Sequence, residues 1–243
     1  MDCWDRFEFK AAAMFTGHPR RTASVRKELA RVGLAVQEFW GHPNVFDIFI
    51  QANVRVTRST AQPGFFNATM THYHIIKTAY ELGAGSLLCV ENDVRFLNDL
   101  GRLDSVVRGL PENFDYALFC WEVPLAGWAE ACKAQMARPR AAGWAQFDDL
   151  RGFACYAMSR KGMKDWLRCV ERTAHDPSSK FLICDMYVKP GYMDPGLVKL
   201  CAVPPAAVQG TVDSEGGEAG LSPSSSKWQR YSCCGIKRED YAP

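Results

Sequence analysis

The chain has 243 residues, with 29 basic and 27 acidic side chains, a net charge of +2 at pH 7 and 47% hydrophobic residues. This composition is ordinary for one globular α/β domain, and the balance of charge gives no long-range attraction for nucleic acid. No apolar run approaches the roughly 20 residues that span a bilayer, and the first ten residues lack the order of a signal peptide. We therefore expect a cytoplasmic protein without a transmembrane segment, and peripheral membrane contact stays open.

Ten cysteines are present, which in a secreted chain would suggest disulfides. Half of them lie inside apolar runs, where a reduced cysteine behaves as a small hydrophobe. We predict reduced core thiols at Cys89, Cys120, Cys155, Cys184 and Cys201. No CxxC pair occurs, so the pattern gives little support for a structural zinc site.

The first predicted elements form a strand, a helix and a second strand. Residues 10–15 are a short apolar run that ends in a loop, and residues 22–33 carry apolar side chains at helical spacing with Gly33 as a stop. Residues 36–40 read as the second strand. This order is typical of a parallel α/β unit. Residues 42–66 show no clean period and support no assignment.

The later pattern continues the alternation of strands and helices. Helices are predicted at 67–82 and 160–172, and strands at 86–90, 115–121 and 153–159. Beyond residue 209 the composition shifts to Gly, Ser, Glu and Pro. We predict an α/β fold in one domain, residues 1–209, with a mixed, mostly parallel central sheet flanked by helices. Residues 210–243 are predicted to form a flexible segment and C-terminal tail.

An acidic turn, Glu91-Asn92-Asp93, directly follows the apolar run 86–90. The carboxyl end of a buried strand is where open α/β sheets bind ligands. Two carboxylates separated by one residue suit Mg²⁺ or Mn²⁺, which can neutralise a diphosphate leaving group. A solvated turn or a cap for a following helix are the alternatives, because caps also favour Asp and Asn.

Six sequence blocks, one of which contains this turn, follow one another in a fixed order. The first three are an arginine loop after the first strand, a leucine-glycine phrase, and a threonine-histidine pair that leads to the turn. The last three are a tyrosine strand followed by serine-arginine and glycine, an aspartate, and a proline phrase. They lie at 14–21, 28–34, 71–94, 152–162, 185 and 203–205. Together they resemble glycosyltransferase family 25, which includes bacterial lipopolysaccharide and lipooligosaccharide sugar transferases and the collagen galactosyltransferases. Met14, Thr71 and Asn92 depart from the usual asparagine, serine and aspartate of that family.

The resemblance implies a GT-A-like fold and a role for each residue of the turn. Asp93 would be the direct ligand of Mn²⁺ or Mg²⁺, and Glu91 would contact the nucleotide ribose or support the metal shell. Asn92 supplies no negative charge, so we expect weaker metal affinity. The alternative for the turn is the structural one given above.

Other residues would contact the nucleotide. Thr16, Gly17 and Arg21 occupy the loop where GT-A enzymes hold it, since amides and a guanidinium suit uracil and phosphate. His72 would face the donor. An ordinary solvated loop and a satisfied core histidine are the respective alternatives.

Family 25 enzymes are classed as inverting, which implies a base on the acceptor hydroxyl. Asp185 is the first candidate because it interrupts an apolar phrase, and burying a carboxylate without purpose is costly. Asp149, with Asp148 beside it, is the second choice. An exposed face of a short helix is the alternative for Asp185.

The resulting hypothesis is an inverting, metal-dependent glycosyltransferase that moves a hexose from a UDP-sugar to a hydroxyl of a saccharide, glycoprotein or lipid-linked acceptor. A catalytically weak GT-A-fold module that binds glycans or a partner is the alternative, because Asn92 and the first loop depart from the family. A metal-dependent phosphoesterase is disfavoured, since additional His or Asp clusters are lacking.

Overall fold

The computed structural model describes residues 2–15, 19–41, 63–122, 128–175, 184, 187–188, 191–210 and 237–241. Within these residues the strands are β1 Phe9–Met14, β2 Gln37–Trp40, β3 Ser86–Glu91, β4 Val94–Phe96, β5 Tyr116–Leu118, β6 Trp144–Gln146, β7 Cys155–Ser159, β8 Lys199–Ala202 and β9 Ala207–Gln209. The α-helices are α1 Pro19–Arg31, α2 Pro63–Glu81, α3 Leu100–Arg108, α4 Trp128–Met136 and α5 Arg160–His175. Short 3₁₀ helices cover Asp2–Arg6 and Arg238–Asp240.

Seven strands form one sheet in the order β2-β1-β3-β7-β5-β8-β6. The pairs β1–β2, β1–β3 and β5–β8 are parallel, whereas β7 is antiparallel to β3 and β5, and β6 is antiparallel to β8. Five of the seven strands therefore run in one direction. The predicted α/β class with a mixed, mostly parallel sheet flanked by helices is confirmed. We call the edge at the C-terminal ends of β1, β2, β3, β5 and β8 the carboxyl edge.

Hydrophobic clusters cover both faces of this sheet. Along β3, Leu88 and Val90 belong to a cluster that includes residues of α1 and α3, whereas Leu87 and Cys89 belong to one that includes residues of α2 and α5. This division follows from the alternation of side chains along a strand. Because both faces are buried, β3 is apolar from Leu87 to Val90, and its last residue, Glu91, begins the polar turn.

Helix α1 shows why the local prediction succeeded. Val25, Leu29 and Val32 recur at spacings of four and three residues, and all three are buried. Gly33 follows with φ of 65°, a conformation that glycine adopts readily at the end of a helix. The helix runs down one face of the sheet and returns the chain to β2, which lies beside β1 in parallel register.

The predicted elements correspond to β1, β2, β3, β5, β7, α1, α2 and α5, with shifted ends. The prediction for 115–121 was too long, because the amides of Phe119 and Cys120 both donate to the carbonyl of Cys155, at 3.0 and 3.1 Å, where the regular ladder stops. The sequence did not predict the short strands β4, β6, β8 and β9. Three or four residues are too few to show a period.

The five cysteines predicted as reduced core thiols are buried, and each is a thiol outside any disulfide of the described residues. Burial raises the pKa of Cys89 and Cys201 to about 12. A thiol with so high a pKa is a packing group and not a nucleophile at neutral pH. This part of the cysteine prediction is confirmed.

The segment predicted to be flexible, residues 210–243, falls mostly outside the described residues. Its residues 237–241 pack on the domain: the Tyr241 ring is buried and its hydroxyl donates to the carbonyl of Pro205 at 2.6 Å. The amide of Asn98 donates to the carbonyl of Asp240 at 2.8 Å. The end of the chain thus contributes to the core near β9.

None of the helices in the described ranges combines the length and the apolar character that a membrane crossing would require.

Candidate functional site

The acidic turn joins two strands at the carboxyl edge. Strand β3 ends at Glu91 and β4 begins at Val94, so Asn92 and Asp93 form the connection. Glu91, Asn92 and Asp93 are only 8%, 1% and 7% exposed. A solvated turn would leave them in water, and a helix cap would precede a helix and not a strand. Neither alternative to a ligand site describes this turn.

Glu91 makes two hydrogen-bonding contacts, one to helix α2 and one to strand β9. Its Oε1 atom is 2.9 Å from Nε2 of His72, and its Oε2 atom is 3.4 Å from the side-chain amide nitrogen of Gln209. His72 is fully buried, and its Nδ1 atom lies 3.0 Å from the hydroxyl of Tyr156. A carboxylate at the rim of the sheet is therefore tied to the core by a buried histidine.

Asp93 faces positive charge. Its Oδ2 atom lies 3.8 Å from Nη1 of Arg21, with 6% of the Asp93 side chain and 26% of the Arg21 side chain exposed. Arg95 follows in β4, and burial lowers the pKa of this arginine while the nearby charges of Glu28 and Asp93 oppose that shift. The backbone carbonyl of Asp93 accepts from the amide of Gly210 at 2.6 Å. Two arginines thus accompany one carboxylate, an arrangement suited to an anionic ligand.

Several buried polar atoms at this edge have no hydrogen-bond partner among the described residues: Arg21 Nε, Asn92 Oδ1, Asn67 Oδ1 and Arg151 Nε. Asn67 lies beside the end of β2, since a Cβ atom on Gly41 would sit 3.1 Å from its Oδ1. Arg151 pairs through its backbone with Glu122, which follows β5. Buried polar atoms are normally satisfied, so a cluster of exceptions needs a cause. Their position at the carboxyl edge makes these atoms candidates for contact with a polar ligand.

Few described side chains near the turn could bind a cation. Among the described residues, no three His, Cys, Asp or Glu side chains come together as a metal-binding group. Asp93 offers a carboxylate, and Asn92 offers an amide oxygen that has no hydrogen-bond partner in the described ranges. The amide nitrogen of Asn92 is 3.4 Å from the carbonyl of Phe15. Oxygen donors of this kind suit Mg²⁺ or Mn²⁺ that keeps further ligands from water and phosphate.

The structure brings together five of the residues predicted from the sequence. Arg21 and Asp93 are in contact, His72 and Glu91 are in contact, and Asn92 lies between Glu91 and Asp93. Thr16, Gly17 and Asp185 lie outside the described residues. The prediction that Glu91 ligates a metal stays a prediction; the contacts described above engage both of its oxygens.

Asp149 is not brought to this turn. Strand β6 runs antiparallel to β8, so the chain leaves β6 at the opposite edge of the sheet. Asp148 and Asp149 are exposed there, and their charges act on Lys199, the first residue of β8. The direction of β6, which places Asp149 away from the turn, could not be read from the sequence, because a three-residue strand shows no period.

The sequence analysis missed other residues at the carboxyl edge: Asn67, Arg95, Arg151, Tyr156 and Gln209. Arg95 carried a usable signal, because it lies two positions after Asp93 in a short apolar strand. Tyr156 carried none, since a tyrosine inside an apolar strand reads as core. Its hydroxyl becomes relevant only when α2 is placed across β3 and β7.

Comparisons with known proteins give no family model and no curated protein that matches this chain. Solved structures with weak similarity include a glycosyltransferase involved in the glycosylation of the major capsid of PBCV-1, at 10% identity, covering 94% of this chain and 100% of that one, with a TM-score of 0.45. Mannose-1-phosphate geranyltransferase from Thermus thermophilus aligns at 11% identity over 80% of this chain and 73% of its own, with a TM-score of 0.45. Galactosyltransferase LgtC, in complex with donor and acceptor sugar analogs, aligns at 11% identity over 93% of this chain and 95% of its own, with a TM-score of 0.45.

Proposed function

We propose that the chain is a metal-dependent glycosyltransferase that transfers a hexose from a UDP-sugar to a hydroxyl group of a saccharide, glycoprotein or lipid-linked acceptor. The single observation that carries the proposal is the buried contact between Asp93 and Arg21 at the carboxyl edge, 3.8 Å between the charged groups. A buried carboxylate suits a cation, and a guanidinium beside it suits a phosphate. The order of sequence blocks that resembles family 25 centres on the same turn.

Mn²⁺ or Mg²⁺ fits the oxygen atoms available at the turn. Asp93 and the Oδ1 atom of Asn92 would hold the cation, and Glu91 is a further proposed ligand or a contact for the ribose. A bound divalent cation would neutralise the negative charge of a departing nucleoside diphosphate. Mg²⁺ and Mn²⁺ commonly bind few protein ligands and complete their coordination with substrate phosphates.

The protein side chains would bind and orient the donor. Within the described part of the chain the buried Nε atom of Arg21 has no hydrogen-bond partner, so it is a donor that would suit a phosphate oxygen. Arg21 lies in the first turn of α1, and Thr16 and Gly17 are proposed to contact the nucleotide from the segment that precedes this helix. The side-chain amide of Asn92 is 3.4 Å from the carbonyl of Phe15, the residue after β1.

An inverting transfer needs a base that removes the proton of the acceptor hydroxyl as the new bond forms. Asp185 remains the proposed base from the sequence. The exposed position of Asp149 at the other edge of the sheet gives no support for that residue as the base.

A donor screen tests this proposal. UDP-glucose, UDP-galactose and their N-acetyl forms are incubated with the full chain in Mn²⁺ or in EDTA, and release of UDP is followed. The proposal predicts Mn²⁺-dependent release from at least one donor by the wild-type chain and at least a roughly 100-fold lower rate for Asp93→Asn, a loss on the scale of one electrostatic group in an active site. Asp148→Asn serves as the matched control, because Asp148 is an exposed aspartate paired with Arg138. No metal-dependent release from any donor, or an undiminished rate in Asp93→Asn, would exclude the proposal.

A further inference from the structure

A buried chain of hydrogen bonds connects Tyr156 to Glu91 through His72. The hydroxyl of Tyr156 lies 3.0 Å from Nδ1 of His72, and Nε2 of the same ring lies 2.9 Å from Oε1 of Glu91. Tyr156 and His72 are fully buried, and Glu91 is 8% exposed. The three residues come from β7, α2 and the end of β3, so packing of three elements builds the chain.

The chemistry of the three groups fixes which atom donates at each step. A glutamate carboxylate only accepts hydrogen bonds, so the proton on the ring must be on Nε2 of His72. When Nε2 carries the only ring proton, the Nδ1 atom is an acceptor, and the hydroxyl of Tyr156 donates to it. Burial raises the pKa of Tyr156 well above its usual value, which keeps this hydroxyl protonated. The thiol of Cys89, 3.8 Å from Nδ1, is a second and weaker donor.

Aromatic packing prevents the imidazole from turning away. The ring of Phe153 meets the His72 ring at a centroid distance of 4.9 Å and an angle of 82°. The ring of Phe15 lies 6.3 Å away in an edge arrangement. An imidazole rotated about the Cβ–Cγ bond of His72 would lose both hydrogen bonds inside the core, where each unmade bond is costly. The orientation of the ring is therefore set by its surroundings.

We propose that Tyr156 is a positioning residue of the donor site, which acts through His72 to hold Oε1 of Glu91 and to direct Oε2 toward the ligand. This inference rests on the function proposed above. The Oε2 atom accepts from the side-chain amide of Gln209 at 3.4 Å, and its second lone pair can accept from a hydroxyl group of the nucleotide. Glu91 then serves as an oriented hydrogen-bond acceptor whose Oε2 atom contacts the nucleotide-sugar.

The first test compares two tyrosines that differ in their link to Glu91. Tyr156→Phe removes only the hydroxyl that contacts His72. Tyr116→Phe is the matched control, because Tyr116 is also fully buried in the sheet and its hydroxyl donates to the carbonyl of Gly152 at 3.2 Å. The affinity for UDP with Mn²⁺ is measured by calorimetry. The expected result is a loss of about 3- to 10-fold for Tyr156→Phe, the size of one hydrogen bond, and less than about 2-fold for Tyr116→Phe. Equal affinities in Tyr156→Phe and wild type, or equal losses in both variants, would overturn the proposal.

The second test determines which ring nitrogen of His72 carries the proton, and it needs no nucleotide. The ¹⁵N shifts of histidine side chains report the tautomer, and His72→Gln identifies the signal of this residue among five histidines. The wild type is expected to show the Nε2–H tautomer, and in Tyr156→Phe the ¹⁵N shift of Nδ1 should move because that atom loses its hydrogen bond, while Nε2 keeps its proton. An Nδ1–H ring in the wild type, or unchanged signals in Tyr156→Phe, would contradict the positioning role. If the wild type binds no UDP, the proposed function fails, and the tautomer alone then decides whether Tyr156 orients Glu91.

Discussion

The guanidinium of Arg21 lies 3.8 Å from the carboxylate of Asp93, although the two residues belong to opposite ends of the first half of the domain. Strands β1 and β3 are parallel neighbours, so the loop that leads into α1 and the turn that follows β3 emerge at the same edge. The pair is mostly buried, and its two charges attract at a distance longer than a direct hydrogen bond. In the proposed site, Arg21 would bind a phosphate and Asp93 would bind the cation beside it.

Replacement of Arg21 tests the phosphate contact. Arg21→Lys keeps the charge and loses the planar fork of donors, so we expect the affinity for UDP with Mn²⁺ to fall about 10-fold. Arg26→Lys is the control, because Arg26 is on the same helix, is exposed and pairs with Glu38 on the surface. Calorimetry on both variants decides the point. An Arg21→Lys variant that bound UDP as well as Arg26→Lys would remove Arg21 from the site.

Replacement of Asn92 tests the cation contact. Asn92→Asp adds a second charged oxygen ligand beside Asp93, and we expect the Mn²⁺ concentration needed for half-maximal UDP binding to fall about 10-fold. The variant should also be less stable by about 1 to 3 kcal/mol, because a charge is placed at a residue that is 1% exposed. A manganese titration and a thermal melt measure the two effects. An unchanged manganese requirement would show that the side chain of residue 92 faces away from the cation.

Gly162 is required where α5 begins against β5. A Cβ atom at residue 162 would lie 2.0 Å from the backbone oxygen of Asp115, which is far inside van der Waals contact. Gly162→Ala is therefore expected to lower the free energy of unfolding by at least about 3 kcal/mol. Gly101→Ala is the control in another first helical turn, where the nearest atom would be 3.4 Å away and alanine is expected to be neutral or stabilising. Urea unfolding of the two variants should differ clearly; similar values would contradict the packing described for α5.

Because the thiols are buried, we expect the free energy of unfolding to fall at alkaline pH. The pKa of Cys89 is raised from 9.0 to about 12 by burial, so the unfolded chain releases this proton at lower pH than the folded chain does. Stability from this thiol is complete below pH 9 and is lost as the pH rises from 9 toward 12. Between about pH 8 and 10 the loss should be about 1.4 kcal/mol for a thiol shifted this far. Cys89→Ala should show a smaller loss over the same range, and an equal loss in both proteins would exclude Cys89 as its source.

The sequence was informative where a long apolar pattern preceded a polar break. The run before Glu91 predicted a central strand, and the polar residues after it predicted the site at its end. Asn67 and Tyr156 could not be found in this way, because their roles depend on contacts between helix α2, strand β7 and the ends of β2 and β3. Asp149 was misplaced for a related reason: the antiparallel direction of β6 is set by pairing with β8, which leaves no local signal in three residues.

The central claim is that Asp93 holds a divalent cation that binds the diphosphate of a nucleotide. Calorimetric titration of UDP into the wild-type chain and Asp93→Asn, each with Mn²⁺ and with EDTA, tests it most directly. The account predicts that wild-type binding requires Mn²⁺ and that Asp93→Asn binds UDP at least about 10-fold more weakly in Mn²⁺ while its melting temperature stays within a few degrees of wild type. UDP binding that is equally strong in EDTA, or equally strong in Asp93→Asn, would contradict it.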